Sequence, residues 1–173
     1  MTARIALTLP YPERDHIAGS AEGSIKLLEY GDYECPFCGD VQPVVKEIQR
    51  RLGDELLFAF RHFTLSNIHP HAEHAAESAE AAGAQGNFWG MHDLLYENQG
   101  ALEDENLVEY AAELGLDGTR LIREITSEVY ARRIREDFKS GVNGTPTFFI
   151  NGERYDGEFS LKHLLNALTA QSA

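Results

Sequence analysis

The sequence predicts an α/β fold in which a block of helices is set between two strand-bearing halves. Short apolar runs with strand character occur near residues 25–30, 56–63 and 147–155, while the stretch from about 67 to 141 carries only helical patterns. A third observation, a lone cysteine pair at a strand-to-helix junction, says where the chemistry of the chain lies.

Taken in order, Ile25 to Tyr30 (IKLLEY) is an apolar run bounded by Gly23 and Gly31, the pattern of a buried strand. Val41, Val44, Val45, Ile48 and Leu52 then recur at helical spacing, and Gly53 supplies a stop. Leu56 to Phe63 (LLFAFRHF) reads as a second buried strand, with His62 as a packed strand residue. In the helical block, HAEHAAESAEAA follows Pro70, a good first-turn residue, and NFWGMHDLLYEN places Trp89 with Phe88 and Leu95 in the core. Leu107, Tyr110, Ala111 and Leu114 form a stripe that Gly115 ends. Leu121, Ile122 and Ile125 lie in one phase and Ile134 with Phe138 in another, so a break is expected near Thr126 and Ser127, which can cap the second piece. Arg132, Arg133 and Arg135 read as a solvated face. Thr147 to Ile150 (TFFI), the turn Asn151-Gly152 and Glu153 to Tyr155 form a hairpin, and Leu161, Leu164, Leu165 and Leu168 a closing helix.

A length of 173 residues fits a single domain, 1–173, with the helical block inserted at about 67–141. A composition of 43% hydrophobic and 25% charged residues excludes extended disorder and fibrous architecture. The net charge of -13 disfavours nucleic acid and anionic membrane surfaces as partners. No apolar run reaches the roughly 20 residues of a membrane span. The apolar stretch before Pro10 is too short for a signal peptide, which gives a cytoplasmic location as the expectation and leaves an exported form with its leader removed open.

Cys35 and Cys38, in GDYECPFCGD, are the two cysteines of the chain. As a structural bridge they would close a very small loop and remove little unfolded-state entropy. A zinc site would have to recruit histidines, for which His69, His71 and His74 are the candidates, although positions flanking a helix start favour exposed or capping roles. The remaining reading is a redox dithiol.

Four features in order give the chain its resemblance: Glu29 six positions before Cys35, CPFC opening a helix, Pro43 five positions after Cys38, and Gly144-Thr145-Pro146 entering TFFING. In these it resembles the DsbA-like branch of the thioredoxin fold, over about Ser24 to Ala170. The resemblance implies a thioredoxin-like α/β fold with a helical insertion between its βαβ and ββα halves. It also implies an acid, here Glu29, that lies beneath the dithiol and takes the proton of the resolving thiol, and a cis Thr145–Pro146 peptide whose preceding residue pairs with an extended substrate.

A thiol at a helix N-terminus faces free N–H groups and the positive end of the dipole, so Cys35 is the expected nucleophile and Cys38 the resolving thiol. Pro36 suits the first helical turn, and Phe37 stands where oxidants of the family often carry His. Glu34 opposes thiolate formation if its carboxylate turns inward. The expected function is thiol:disulfide oxidoreductase activity on protein or peptide substrates, with catalytic Cys35, Cys38 and Glu29, substrate contacts at Thr145, Pro146, Phe37 and Pro36, and neither cofactor nor metal. A redox partner and a monomeric state are expected. The alternatives are a glutathione-dependent transferase or isomerase of a related fold, and a non-enzymatic metal-binding or chaperone-like module.

Overall fold

The computed structural model of the protein describes residues 8–139 and 142–170. It contains strands β1 (His16–Gly19), β2 (Ile25–Gly31), β3 (Leu56–His62), β4 (Thr147–Ile150) and β5 (Glu153–Tyr155), and helices α1 (Pro36–Leu52), α2 (Ala72–Ala84), α3 (Phe88–Glu97), α4 (Asp104–Glu113), α5 (Gly118–Thr126), α6 (Ala131–Phe138) and α7 (Leu161–Ala170). The strands form one sheet in the order β1-β3-β2-β4-β5. This is the mixed α/β, thioredoxin-like architecture that the sequence predicts. The chain readings that involve residues before Thr8, and the end of the helical block at Gly141, lie outside the described residues.

The chain divides into two compact units, one of residues 1–30, 40–61 and 146–173 and one of residues 31–39 and 62–145. In the first, β2 and β3 are buried along almost their whole length, which is why they read as continuous apolar runs rather than as alternating ones. β4 pairs antiparallel with β2, setting Glu29 opposite Phe148 and Tyr30 opposite Thr147. Asn151 and Gly152 turn the β4–β5 hairpin with φ of 49° and 90°, the left-handed pair such a two-residue turn demands. Asn151 also closes the neighbouring edge, accepting from Lys26 N at 2.8 Å through its side chain.

The sequence pattern missed β1. HIAG is half-exposed and has no apolar run, and it is a strand because it pairs with β3, with Ile17 opposite Ala59. The stretch just before it is held by a buried ion pair. Arg61, 1% exposed, reaches Asp15 through two bonds of 3.0 and 2.6 Å, donates to Tyr30 Oη at 3.0 Å and to the Leu9 carbonyl at 3.0 Å. Every strong donor direction of the guanidinium used here meets an oxygen, the condition under which a buried charge is tolerated.

The second unit is helical. α2 packs against α3, α4 and α5, and its buried face is made of Ala72, Ala75, Ala76, Ala79 and Ala82, whose small side chains let neighbouring backbones approach closely. Pro70 lies two residues ahead of α2 instead of in its first turn. The break between α5 and α6 falls at Ser127–Tyr130, with Glu128 at φ 50°, but neither Thr126, whose hydroxyl donates back to the Ile122 carbonyl, nor Ser127 caps α6. The Glu77 carboxylate of α2 does that work, accepting from Tyr130 N at 3.0 Å. Arg133, expected in solvent, turns inward to Glu80 at 3.0 Å, and the other side of Glu80 meets His62 Nε2 at 2.8 Å. His62 is thus packed, as expected, and also hydrogen-bonded. Phe88 and Leu95 are core, with Trp89 half-buried beside Phe88.

Candidate active site

β2 ends at Gly31 and α1 begins at Pro36, and the turn between them is organised by Asp32, which is 1% exposed. Its carboxylate accepts from Glu34 N at 2.8 Å and from Leu65 N at 2.9 Å and faces His69 Nδ1 at 2.8 Å, while its carbonyl accepts from Cys35 N at 3.1 Å. An acid two residues ahead of a helix-opening Glu-Cys is the signature of an Asx turn, so this residue was findable in the sequence and was missed. Glu34 turns away from the dithiol to the start of α2, where it accepts from His71 N at 2.7 Å. The turn is also gripped from α3 and the segment after it. Gln99 Nε2 donates to the Tyr33 carbonyl at 2.9 Å and to the Cys35 carbonyl at 2.8 Å, and His92 Nδ1 meets the Tyr33 hydroxyl at 2.9 Å.

Cys35 and Cys38 are free thiols, 4% and 0% exposed. The hydrogen bond from Cys38 is the largest influence on Cys35 and lowers its pKa to about 5; burial opposes this, and Thr145 and the backbone N–H groups of Cys38 and Phe37 add to the lowering. Thr145 acts from both of its oxygens. Its carbonyl lies 3.7 Å from Cys35 Sγ and accepts from the neutral thiol, whereas its buried hydroxyl has no other hydrogen-bond partner and is free to turn its proton toward a thiolate. Pro36 and Phe37, between the cysteines, are exposed, Phe37 by 70%.

Glu29, on β2, is 0% exposed, so its carboxyl is a desolvated one. Burial pushes its pKa up to about 8, and the bond from Gln42 pulls the other way. Gln42 Nε2 stands 3.3 and 3.4 Å from the two carboxylate oxygens. The structure thus brings Cys35, Cys38 and Thr145 together in the second unit and places Glu29 with Gln42 in the first.

Two of the three histidines of the zinc alternative are engaged elsewhere. His69, with a side chain only 15% exposed, faces Asp32, so the exposed or capping role expected of it is corrected. Half-exposed His74 pairs with Asp104 at 2.6 Å. Among the described residues no group of three or more His, Cys, Asp or Glu side chains is arranged to hold a metal ion.

A dithiol at the first turn of a helix, with one thiol acidified and the other wholly buried, on a sheet of this order, is the arrangement of a thiol-chemistry protein of the thioredoxin class. The family model described as thioredoxin matches residues 12–170, and the chain belongs to that family. Among solved structures, its fold is similar to BdbD from Bacillus subtilis, at a TM-score of 0.84 and 20% identity over 94% of this chain and 95% of that one. It is also similar to a thioredoxin-like oxidoreductase from Silicibacter pomeroyi, at 0.83 and 24% over 99% of each, and to α-DsbA1 from Wolbachia pipientis, at 0.80 and 23% over 95% and 93%. The fold is therefore that of DsbA-like proteins, as the resemblance implied.

Sequence relatives include the Na(+)/H(+) antiporter NhaA 1 of Salinispora arenicola, 43% identical over 94% of this chain and 25% of that protein, and the NhaA 1 of a Mycobacterium species, 39% identical over 92% and 27%. The chain spans about a quarter of the length of these curated relatives. No helix among the described residues is long and apolar enough to cross a membrane.

Proposed function

We propose that the protein is a thiol:disulfide oxidoreductase that exchanges disulfides with protein or peptide substrates through Cys35 and Cys38. The observation that carries this reading is the Cys35 thiol, lowered to about 5 beside a Cys38 that solvent does not reach. At neutral pH Cys35 is a thiolate, the form that attacks disulfides. Its sulfur bonds to one sulfur of the substrate disulfide, and the other sulfur leaves as a thiolate. Cys38 then loses its proton and attacks Cys35, which closes the Cys35–Cys38 disulfide and releases the second substrate thiolate. With the pair oxidised, a substrate thiolate attacks Cys35 and the same steps run backwards.

Glu29 is assigned the proton of Cys38. Burial holds the Glu29 carboxyl at about 8, so its ionised form is basic enough to take a thiol proton near neutral pH. The ionised form is the acceptor, and resolution of the mixed disulfide accelerates as pH rises toward about 8. Thr145 and Pro146 are assigned to the substrate backbone, and exposed Pro36 and Phe37 to its side chains, by analogy with strand addition.

The test is trapping. The Cys38→Ser variant is expected to accumulate a mixed disulfide with a disulfide-bearing protein on non-reducing electrophoresis, and Cys35→Ser to accumulate none. Equal trapping by both variants would show that Cys38 is as reachable as Cys35 and would overturn the division of roles.

A further inference from the structure

We infer that Gln99 is a positioning residue for the reactive thiol: from the segment that follows α3, it fixes the Tyr33–Glu34 and Cys35–Pro36 peptide groups of the turn in the orientation the thiolate needs. This rests on the reading of Cys35 as the attacking thiol.

A single side-chain nitrogen of Gln99 donates to two main-chain carbonyls, Tyr33 O at 2.9 Å and Cys35 O at 2.8 Å. The Tyr33 carbonyl belongs to the peptide whose N–H, that of Glu34, is already held by Asp32 at 2.8 Å. The Cys35 carbonyl also accepts the first helical bond of α1, from Gly39 N at 3.1 Å. Both peptide planes are thus fastened at two points, and rotation of either would break a bond. The N–H groups of Phe37 and Cys38, which converge on the sulfur, belong to the turn fixed in this way.

An electrostatic effect acts in the same direction. Carbonyl oxygens carry the negative end of the peptide dipole, and two of them stand in the turn that must accommodate a thiolate. The amide –NH2 of Gln99 sets a positive dipole end against both. It does this without a charge of its own, so the effect does not depend on pH.

Gly39 shows that the sequence makes room for this contact. A Cβ added there would overlap the Gln99 amide oxygen and its carbon, and Gly39 has an ordinary helical backbone, so no demand of conformation calls for glycine. What a side chain at 39 would displace is Gln99.

The experiment titrates Cys35 by thiolate absorbance in the otherwise unchanged reduced protein and measures the dithiol reduction potential against glutathione. Gln99→Leu, which fills the same space without donors, is expected to raise the Cys35 pKa by about one pH unit, a tenfold loss of thiolate stability. The same tenfold change lowers the reduction potential by about 30 mV, because the reduced form is the one destabilised. Gly39→Ala is expected to give a change of the same sign in the unsubstituted background and little further change on top of Gln99→Ala. A merely structural Gln99 would move the melting temperature and leave pKa and potential where they are, and that result overturns the inference. If Gln99→Leu does not fold, Gln99→Ala and Gly39→Ala carry the same two readouts. A Cys35 that titrates near 8.5 in the unsubstituted protein would refute the nucleophile reading itself, whereas a low value that neither Gln99 nor Gly39 variants alter refutes only the role given to Gln99.

Discussion

Glu29→Gln is expected to stabilise the protein at neutral pH while slowing its chemistry. In the folded chain burial holds the carboxyl at about 8 against an ordinary 4.5, so at pH 7 the folded form keeps a proton that the unfolded form has released. The unfolded state binds fewer protons over this interval, and stability therefore falls as pH rises from about 4.5 to about 8. Each pH unit costs about 1.4 kcal/mol, which makes about 3 kcal/mol at pH 7. Glutamine has nearly the same shape, offers an oxygen to Gln42 and has no proton to lose. Urea unfolding of the reduced proteins at pH 4.5, 6 and 7.5 should show the variant and the parent nearly equal at the lowest pH and increasingly separated above it. Other groups that titrate with unusual values, Glu77 among them, are common to both proteins and cancel in the difference. A difference that is the same at every pH would refute the buried, protonated carboxyl, because that would be a packing effect with no proton in it. The resolving step, followed by release of a mixed disulfide from Cys35, is expected to slow in the same variant and to lose its rise toward pH 8.

Asp15→Ala, which leaves Arg61 charged and buried without its carboxylate, is expected to cost about 3–5 kcal/mol in denaturant unfolding, a loss that Asp15→Asn should only partly recover. Glu34→Ala removes the acceptor of His71 N at the start of α2 and should cost about 1 kcal/mol by the same measurement. Thiolate absorbance against pH should give a Cys35 transition near 5, and a variant whose titratable thiol is Cys38 alone should show none there.

The parts of the fold that could be read from the chain are those whose cause is local. IKLLEY and LLFAFRHF are strands in any context that buries both faces, and the Val41 to Leu52 stripe carries its own period. β1 was not legible because HIAG has no such pattern and owes its strand to β3, some 40 residues on. The cap of α6 does not lie at Thr126 or Ser127, where the local pattern puts it, for the same reason: its acceptor, Glu77, is 53 positions away. At the site, the cysteines announce themselves by spacing, and Glu29 by its place in an apolar strand. Gln99 does not, since its meaning lies in carbonyls 64 and 66 positions earlier. Nor could the direction of Glu34 be foreseen, because the N–H it accepts comes 37 positions later, across from the turn that Asp32 ties to Leu65 and His69.

Phe37 and Pro36 project into solvent from between two sulfurs that do not. Exchange of an exposed side chain away from special contacts usually changes stability by less than about 0.5 kcal/mol, so these two positions can be rewritten with little risk to folding. The same two positions form the exposed surface between Cys35 and Cys38. For the proposed disulfide exchange, a small library at 36 and 37 would therefore vary the surface beside Cys35 repeatedly without a compensating change in the core.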